Sequence, residues 1–202
     1  MVREMIQEWL ARALLYVFGP RRMRTPISTF TGQHFNPLAS NLEELIRDIE
    51  IDDIAQGLSN ICRFNGQTTE FYSVAQHSVM VCDLVPAQYK RAALFHDGSE
   101  PYLGDMIKPL KLLFPLFWWI ERRVMTAIAW KFGFSMNEEV HRIIKRADMI
   151  ALATERRDLM PKSNGEWQYL EGYHPVEGKL VPLPPREARE LFMQRYRELF
   201  LT

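Results

Sequence analysis

Cysteine is nearly absent from this chain: Cys62 and Cys82 are the 2 present among 202 residues, and they do not form a Cys-x-x-Cys pair. That excludes a disulfide framework and points to a reducing, cytoplasmic setting. An excess of charge of either sign is missing too, since 25 Lys and Arg stand against 25 Asp and Glu. Without a net basic field the chain lacks the electrostatic footprint of a duplex nucleic-acid binder, whereas a pocket for one small phosphorylated molecule is compatible with that balance. Long apolar runs are also missing. Leu10–Phe18 falls short of the ~20 residues that cross a bilayer, and no small-residue cleavage site accompanies it. Neither a transmembrane segment nor a signal peptide is expected. There is no internal repeat and no low-complexity tract.

What is present is ordinary globular composition, 47% hydrophobic and 12% aromatic, enough for a single core. Met5, Trp9, Ala13 and Tyr16 share a helical face that Gly19-Pro20 ends, which sets residues 1–22 apart as an N-terminal helical extension to a domain over 23–202. Residues 23–41 read as loop or short strand, broken by Pro26, Gly32 and Pro37. Helices then follow over Ile51–Asn60, over Val74–Leu84 behind a Ser73 cap, and over Ala87–Phe95 after Pro86. Three more are expected over Phe114–Phe132, Asn137–Arg157 and Arg186–Phe200. Residues 161–183, rich in Gly and Pro, read as a long loop or small hairpin. The fold class is all-α with one irregular insertion near the C-terminus. Phe114–Trp119 is too apolar for solvent: core is the first reading, a homo-oligomer interface the second.

The polar residues that interrupt apolar runs carry the chemistry. His96-Asp97 ends the run Arg91–Phe95, and such groups are rarely buried unless paired or metal-bound. His77 lies on the preceding helix, and Asp148 is an isolated acid on an otherwise apolar face. Two imidazoles and two carboxylates suit Mn, Co, Zn or Mg, and such an ion with open positions activates water and neutralises phosphate charge. The plainer alternative makes His77 a core histidine and His96-Asp97 a helix cap. Glu155, seven residues beyond Asp148, shares its face. Glu155-Arg156-Arg157-Asp158 otherwise reads as a surface charge cluster, His141 as exposed and His34 as structural.

The segments Tyr72–Ser78, Ala92–Glu100 and Ala147–Asp148 resemble the H…HD…D signature of the HD-domain superfamily. More closely, they are similar to bacterial HD-type 5′-deoxynucleotidases and small phage phosphohydrolases, including phage dATP triphosphohydrolases. The resemblance covers roughly residues 42–160. It implies an HD helical bundle in which His77, His96, Asp97 and Asp148 hold a divalent ion. It also implies that Glu100 orients or deprotonates the attacking water, and that Asp105, in a Gly-Asp turn, holds a sugar hydroxyl or assists proton transfer. Arg63 and Lys111 match positions that meet phosphate, Phe64 an aromatic that stacks on the base, and Gln76 and Ser78, beside His77, are candidates to contact the substrate or the groups around the ligands, with a helix-surface role as the alternative. Where the family position often carries tryptophan, this chain has Phe64.

The expected function is therefore hydrolysis of phosphate from (deoxy)nucleotides, of the 5′-deoxynucleotidase kind. One alternative is a dNTP triphosphohydrolase. Another, of a different class, is a non-catalytic nucleotide-binding HD module. The expected partner is a small nucleotide.

Overall fold

The computed structural model describes residues 26–111, 113–162, 165 and 167–201, without the side chains of Lys108 and Pro109. The helix expected over 1–18, and with it the extension 1–22, lies outside the described residues. The described chain is all-α apart from one small hairpin, and falls into two compact units. The first comprises residues 26–54 and 98–133, the second 55–97 and 134–201. No helix among the described residues is long and apolar enough to cross a membrane.

The first unit opens on β1 (Ile27–Ser28) and β2 (His34–Phe35), antiparallel with Ile27 opposite Phe35. Asp53 closes the hairpin turn: its two carboxylate oxygens accept from the Thr31 amide (2.7 Å) and hydroxyl (2.9 Å). Helix α1 (Leu42–Asp48) starts where Asn41 accepts from the Glu44 amide, satisfying a donor that the first turn would leave orphaned. Next comes α2 (Ile51–Asn60), which matches the expected range; its residues through Ile54 belong to this unit and those from Ala55 to the second. The unit continues with α5 (Glu100–Leu103), α6 (Lys108–Lys111) and α7 (Pro115–Phe132). Its buried residues include Phe35, Leu45, Ile49, Val124 and Ile128, with the Phe35 ring 4.2 Å from that of Tyr102.

The expectation of core over Phe114–Trp119 does not hold. Phe114 is 52% exposed, and Trp118 and Trp119 are half-buried beneath the guanidiniums of Arg122 and Arg123. The buried stripe of α7 lies further along the helix, at Val124, Ala127 and Ile128. Arginine planes cover the indole faces instead of core packing.

In the second unit, α3 (Val74–Asp83) is capped as expected, Ser73 accepting from the Gln76 amide at 3.2 Å. The run expected as one helix over Ala87–Phe95 is a 3-10 turn, Ala87–Tyr89, followed by α4 (Lys90–Leu94). The long α8 (Glu138–Leu159) begins at an Asn137 cap, with Glu138 and Glu139 in its first turn and Arg156 and Arg157 in its last, the arrangement that suits the helix dipole. The unit ends with α9 (Pro185–Phe200). Helix α3 packs against α4, α8 and α9.

Phe95, wholly buried at the end of α4, sits in an aromatic cage. Phe134 stacks on it at 5.5 Å, while Phe192 and Phe200 meet it edge-on at 6.0 and 5.6 Å.

Among the described residues of 161–183 there is no strand, only a loop with one 3-10 turn, Gln168–Leu170. Side chains of α8 hold that loop. Thr154 accepts from the Val176 amide, Asp158 from the Leu180 amide, and Arg157 donates to the Val176 carbonyl. Arg157 and Asp158, expected as a surface charge cluster, therefore also serve as a clamp.

Phe95→Ala should destabilise the protein by about 3–5 kcal/mol through loss of burial and an unfilled cage. Trp130→Ala, at a side chain 72% exposed, should stay within about 0.5 kcal/mol. Urea unfolding of both variants checks the contrast, and equal midpoints would contradict the cage.

Candidate metal centre

Two helices and one connecting segment of the second unit bring the expected ligands together. Helix α3 carries His77, which is 0% exposed. Its Nδ1 lies 2.6 Å from Glu155 Oε1. The residues after α4 supply His96, whose Nδ1 lies 2.8 Å from the Ala93 carbonyl. A carboxylate and a carbonyl can only accept, so both Nδ1 atoms carry hydrogen, which leaves Nε2 the atom that presents a lone pair when the ring is neutral. Those Nε2 atoms face each other at 3.3 Å.

Two lone pairs at that distance repel unless positive charge lies between or beside them. A proton satisfies the arrangement, and so does a metal ion. Nitrogens bound to one ion at ~2.0–2.1 Å in tetrahedral geometry stand roughly 3.3–3.4 Å apart, which this spacing fits. Asp148 Oδ1 is 3.5 Å from His77 Nε2. Ligand atoms of His77, His96 and Asp148 all lie within 4.8 Å of one another. Asp97 stands beside this group, its Oδ2 3.2 Å from His96 Nε2 and 3.8 Å from His77 Nε2. The donor set can hold a metal ion, with each imidazole oriented through its other nitrogen.

Glu155 is the residue that the sequence signalled only by spacing. Helix α8 puts it two turns beyond Asp148, wholly buried, where Oε1 meets His77 and Oε2 accepts from Arg63 Nη2 at 3.0 Å. The opposite prong of Arg63, Nη1, stops 4.0 Å from Asp97 Oδ2. Arg63 Nε, also buried, bonds to nothing among the described residues.

The segment that delivers Arg63 is unusual. Phe64 and Asn65 take φ of 54° and 51°, and Gly66 follows at 75°. Two consecutive non-glycine residues in the left-handed region cost of order 1–3 kcal/mol each, with asparagine at the low end. A bridge between Cys62 and Ser73, with the Arg63 amide donating to Tyr72 at 2.8 Å, ties this turn to the start of α3.

Electrostatics follow from burial and contact. Burial pulls the His77 pKa down, as does Arg63, but Glu155 and Asp148 together push it up to about 9. Burial acts to raise Asp97, Asp148 and Glu155, yet each carboxyl is held well below its usual range. The His96 charge and hydrogen bond do this for Asp97, the His77 hydrogen bond and charge for Asp148, and Arg63 first, then His77, for Glu155. Burial opposes the Arg63 charge, but Glu155, Asp97 and Asp148 keep it firmly protonated.

The other candidates divide. Phe64 is half-buried, under the Arg63 guanidinium and 6.1 Å from the ring of Trp167. Gln76 spends its amide on the loop: Nε2 donates to the Val181 carbonyl at 2.8 Å, and Oε1 accepts from the Leu183 amide at 2.9 Å. Buried Ser78 follows His77 on α3, while His141 and His34 are exposed. Glu100, Asp105 and Lys111 belong to the first unit. There Glu100 is 7% exposed, and Asp105 follows Gly104, whose φ of 80° calls for glycine. Half-buried Lys111 donates to Glu121 at 2.6 Å. Burial opposes its charge, but Glu121 and, more weakly, Glu100 and Asp105 raise its pKa. A hollow of about 1230 Å³ in the second unit is lined by Gln67, Arg156, Met160, Trp167 and Tyr173, and by no member of the cluster.

The chain is 42% identical over 174 residues to the uncharacterized protein YfdR of Escherichia coli (strain K12), covering 86% of this chain and 94% of that protein. It belongs to the YfdR family. An uncharacterized protein of Rhodobacter capsulatus is 35% identical over 168 residues, 75% of this chain and 86% of that one. No family model matches the chain.

In chelator-treated protein the site should make stability pH-dependent with two signs. The depressed carboxyls contribute above their unfolded values near 4, and that contribution is lost as pH falls towards 2 and below. His77 contributes fully below about 6.5, and its share is lost as pH rises to about 9. Denaturation across the pH range should therefore show a maximum between roughly pH 4.5 and 6.5. A flat profile would contradict these environments.

Proposed function

We propose that the chain is an HD-type, divalent-metal-dependent phosphohydrolase acting on (deoxy)nucleotides, of the 5′-deoxynucleotidase kind. The observation that carries this reading is the facing pair of Nε2 atoms at 3.3 Å, flanked by Asp97 and Asp148. That nitrogen and oxygen set suits Mn, Co, Mg or Zn. When bound, such an ion acidifies water and neutralises charge on the phosphoryl oxygens.

The residues take the following roles in this reading. His77, His96, Asp97 and Asp148 bind the ion. Arg63 meets the phosphate: it is permanently charged, and its planar fork fits phosphoryl oxygens. Its Nη1 points to the cluster side, 4.0 Å from Asp97. Phe64 offers a ring to the base. Glu100, three residues past Asp97 and buried, takes the proton of the attacking water. Asp105 holds the sugar hydroxyl, and Lys111 adds positive charge for the phosphate. Gln76 secures the loop over 181–183 beside α3.

A substrate panel tests the proposal. Protein stripped by chelator is supplied with Mn, Co, Mg or Zn and assayed against nucleoside mono-, di- and triphosphates of each base. Release of inorganic phosphate from a deoxynucleoside 5′-monophosphate is expected. Release of intact triphosphate would assign a dNTP triphosphohydrolase instead, and nucleotide binding without turnover under any metal would leave a binding module. Asp148→Ala should abolish metal binding. Glu100→Ala should keep the metal but lower kcat by about 100-fold or more, the usual contribution of general acid–base catalysis. Equal metal loss in both variants would overturn these roles.

A further inference from the structure

We infer that Glu155 is a positioning residue that holds the metal-binding imidazole of His77 and the phosphate-binding guanidinium of Arg63 at the same time, an inference that rests on the metal-dependent reading above.

The geometry divides the carboxylate cleanly. Oε1 accepts from His77 Nδ1 at 2.6 Å, and Oε2 accepts from Arg63 Nη2 at 3.0 Å. Glu155 and His77 are wholly buried, so bulk water cannot take over either bond. A structural ion pair would need Arg63 alone. Spending the second oxygen on the imidazole does something more: it keeps hydrogen on Nδ1, directs Nε2 at His96, and raises the basicity of that nitrogen towards a cation. The Arg63 fork is divided likewise. One prong is anchored on Glu155, and the other faces the cluster, 4.0 Å from Asp97.

The three residues come from separate parts of the second unit: the left-handed turn, α3 and α8. The Cys62–Ser73 bridge ties the turn to the start of α3, and Glu155 joins both to α8. One side chain therefore fixes where the cation-binding nitrogen points and where the anion-binding fork sits. The alignment of the two partners of a phosphate ester depends on it.

Glu155→Gln is the test, because the amide keeps the shape but accepts at one atom only. Its NH2 group must face either the His77 Nδ1–H or the Arg63 fork. Zn²⁺ affinity by calorimetry should fall by about 10- to 100-fold. Inorganic phosphate affinity, measured on zinc-saturated protein, should fall too. A folded Glu155→Gln variant with wild-type affinity for both overturns the inference. Arg63→Lys should weaken phosphate binding and leave zinc affinity unchanged, and a zinc loss equal to that of Glu155→Gln would overturn the separate tie to His77.

If Glu155→Gln does not fold, the wild type still decides. Its zinc-loaded form should show a downfield, slowly exchanging His77 Nδ1–H proton, and absence of that signal counts against Glu155. None of these readouts uses turnover. A wild type that binds zinc and phosphate as expected but hydrolyses no nucleotide overturns the phosphohydrolase and leaves the Glu155 role standing. A Glu155→Gln variant that loses rate while keeping both affinities does the reverse.

Discussion

A carboxylate shut away from water must be satisfied by the protein, and in the second unit that carboxylate is Glu155. With His77 on one oxygen and Arg63 on the other, it turns three buried charged or chargeable groups into one compensated set. Breaking a pair of this kind typically costs about 3–5 kcal/mol, because the group left behind keeps its desolvation cost and loses its partner. Such a set tolerates little movement. The Ser73 cap that starts α3, the strained turn that delivers Arg63 and the two-turn spacing along α8 all bear on the same few atoms.

Much of the fold was legible because it rests on periodicity and capping. The ranges Ile51–Asn60, Pro115–Phe132 and Pro185–Phe200 fall within a residue of expectation, and the Ser73 cap is as expected. Those signals are local, so one sequence carries them. What could not be read depends on contacts between distant segments. Arg157, Asp158 and Gln76 fasten backbone groups of an irregular loop, and bonds from side chain to loop backbone leave no repeating pattern. Trp118 and Trp119 misled for a related reason, since hydropathy does not record that an arginine one turn away will cover an indole.

The candidate site was partly legible. His77, His96 and Asp148 form a tight group with Asp97 alongside. Each stood out as a polar residue on an apolar stretch, which is a signal one sequence can carry. Glu155 was visible only as an acid at helical spacing from Asp148, in a charged run that looks like surface. Its burial became apparent only once Arg63 and His77 were in place around it. Phe64 and Asn65 gave no local hint of their backbone conformation, because neither residue type requires it.

The cage around Phe95 has a consequence in time. His96 and Asp97 follow directly on that ring, whose edges are covered by Phe192 and Phe200 of α9. The ribosome has made every residue of the cluster, Arg63 through Glu155, before it makes those two phenylalanines. During synthesis His96 and Asp97 are therefore present in the nascent chain while the wall beside them is still missing. The cage around Phe95 is complete only once the last helix is in place.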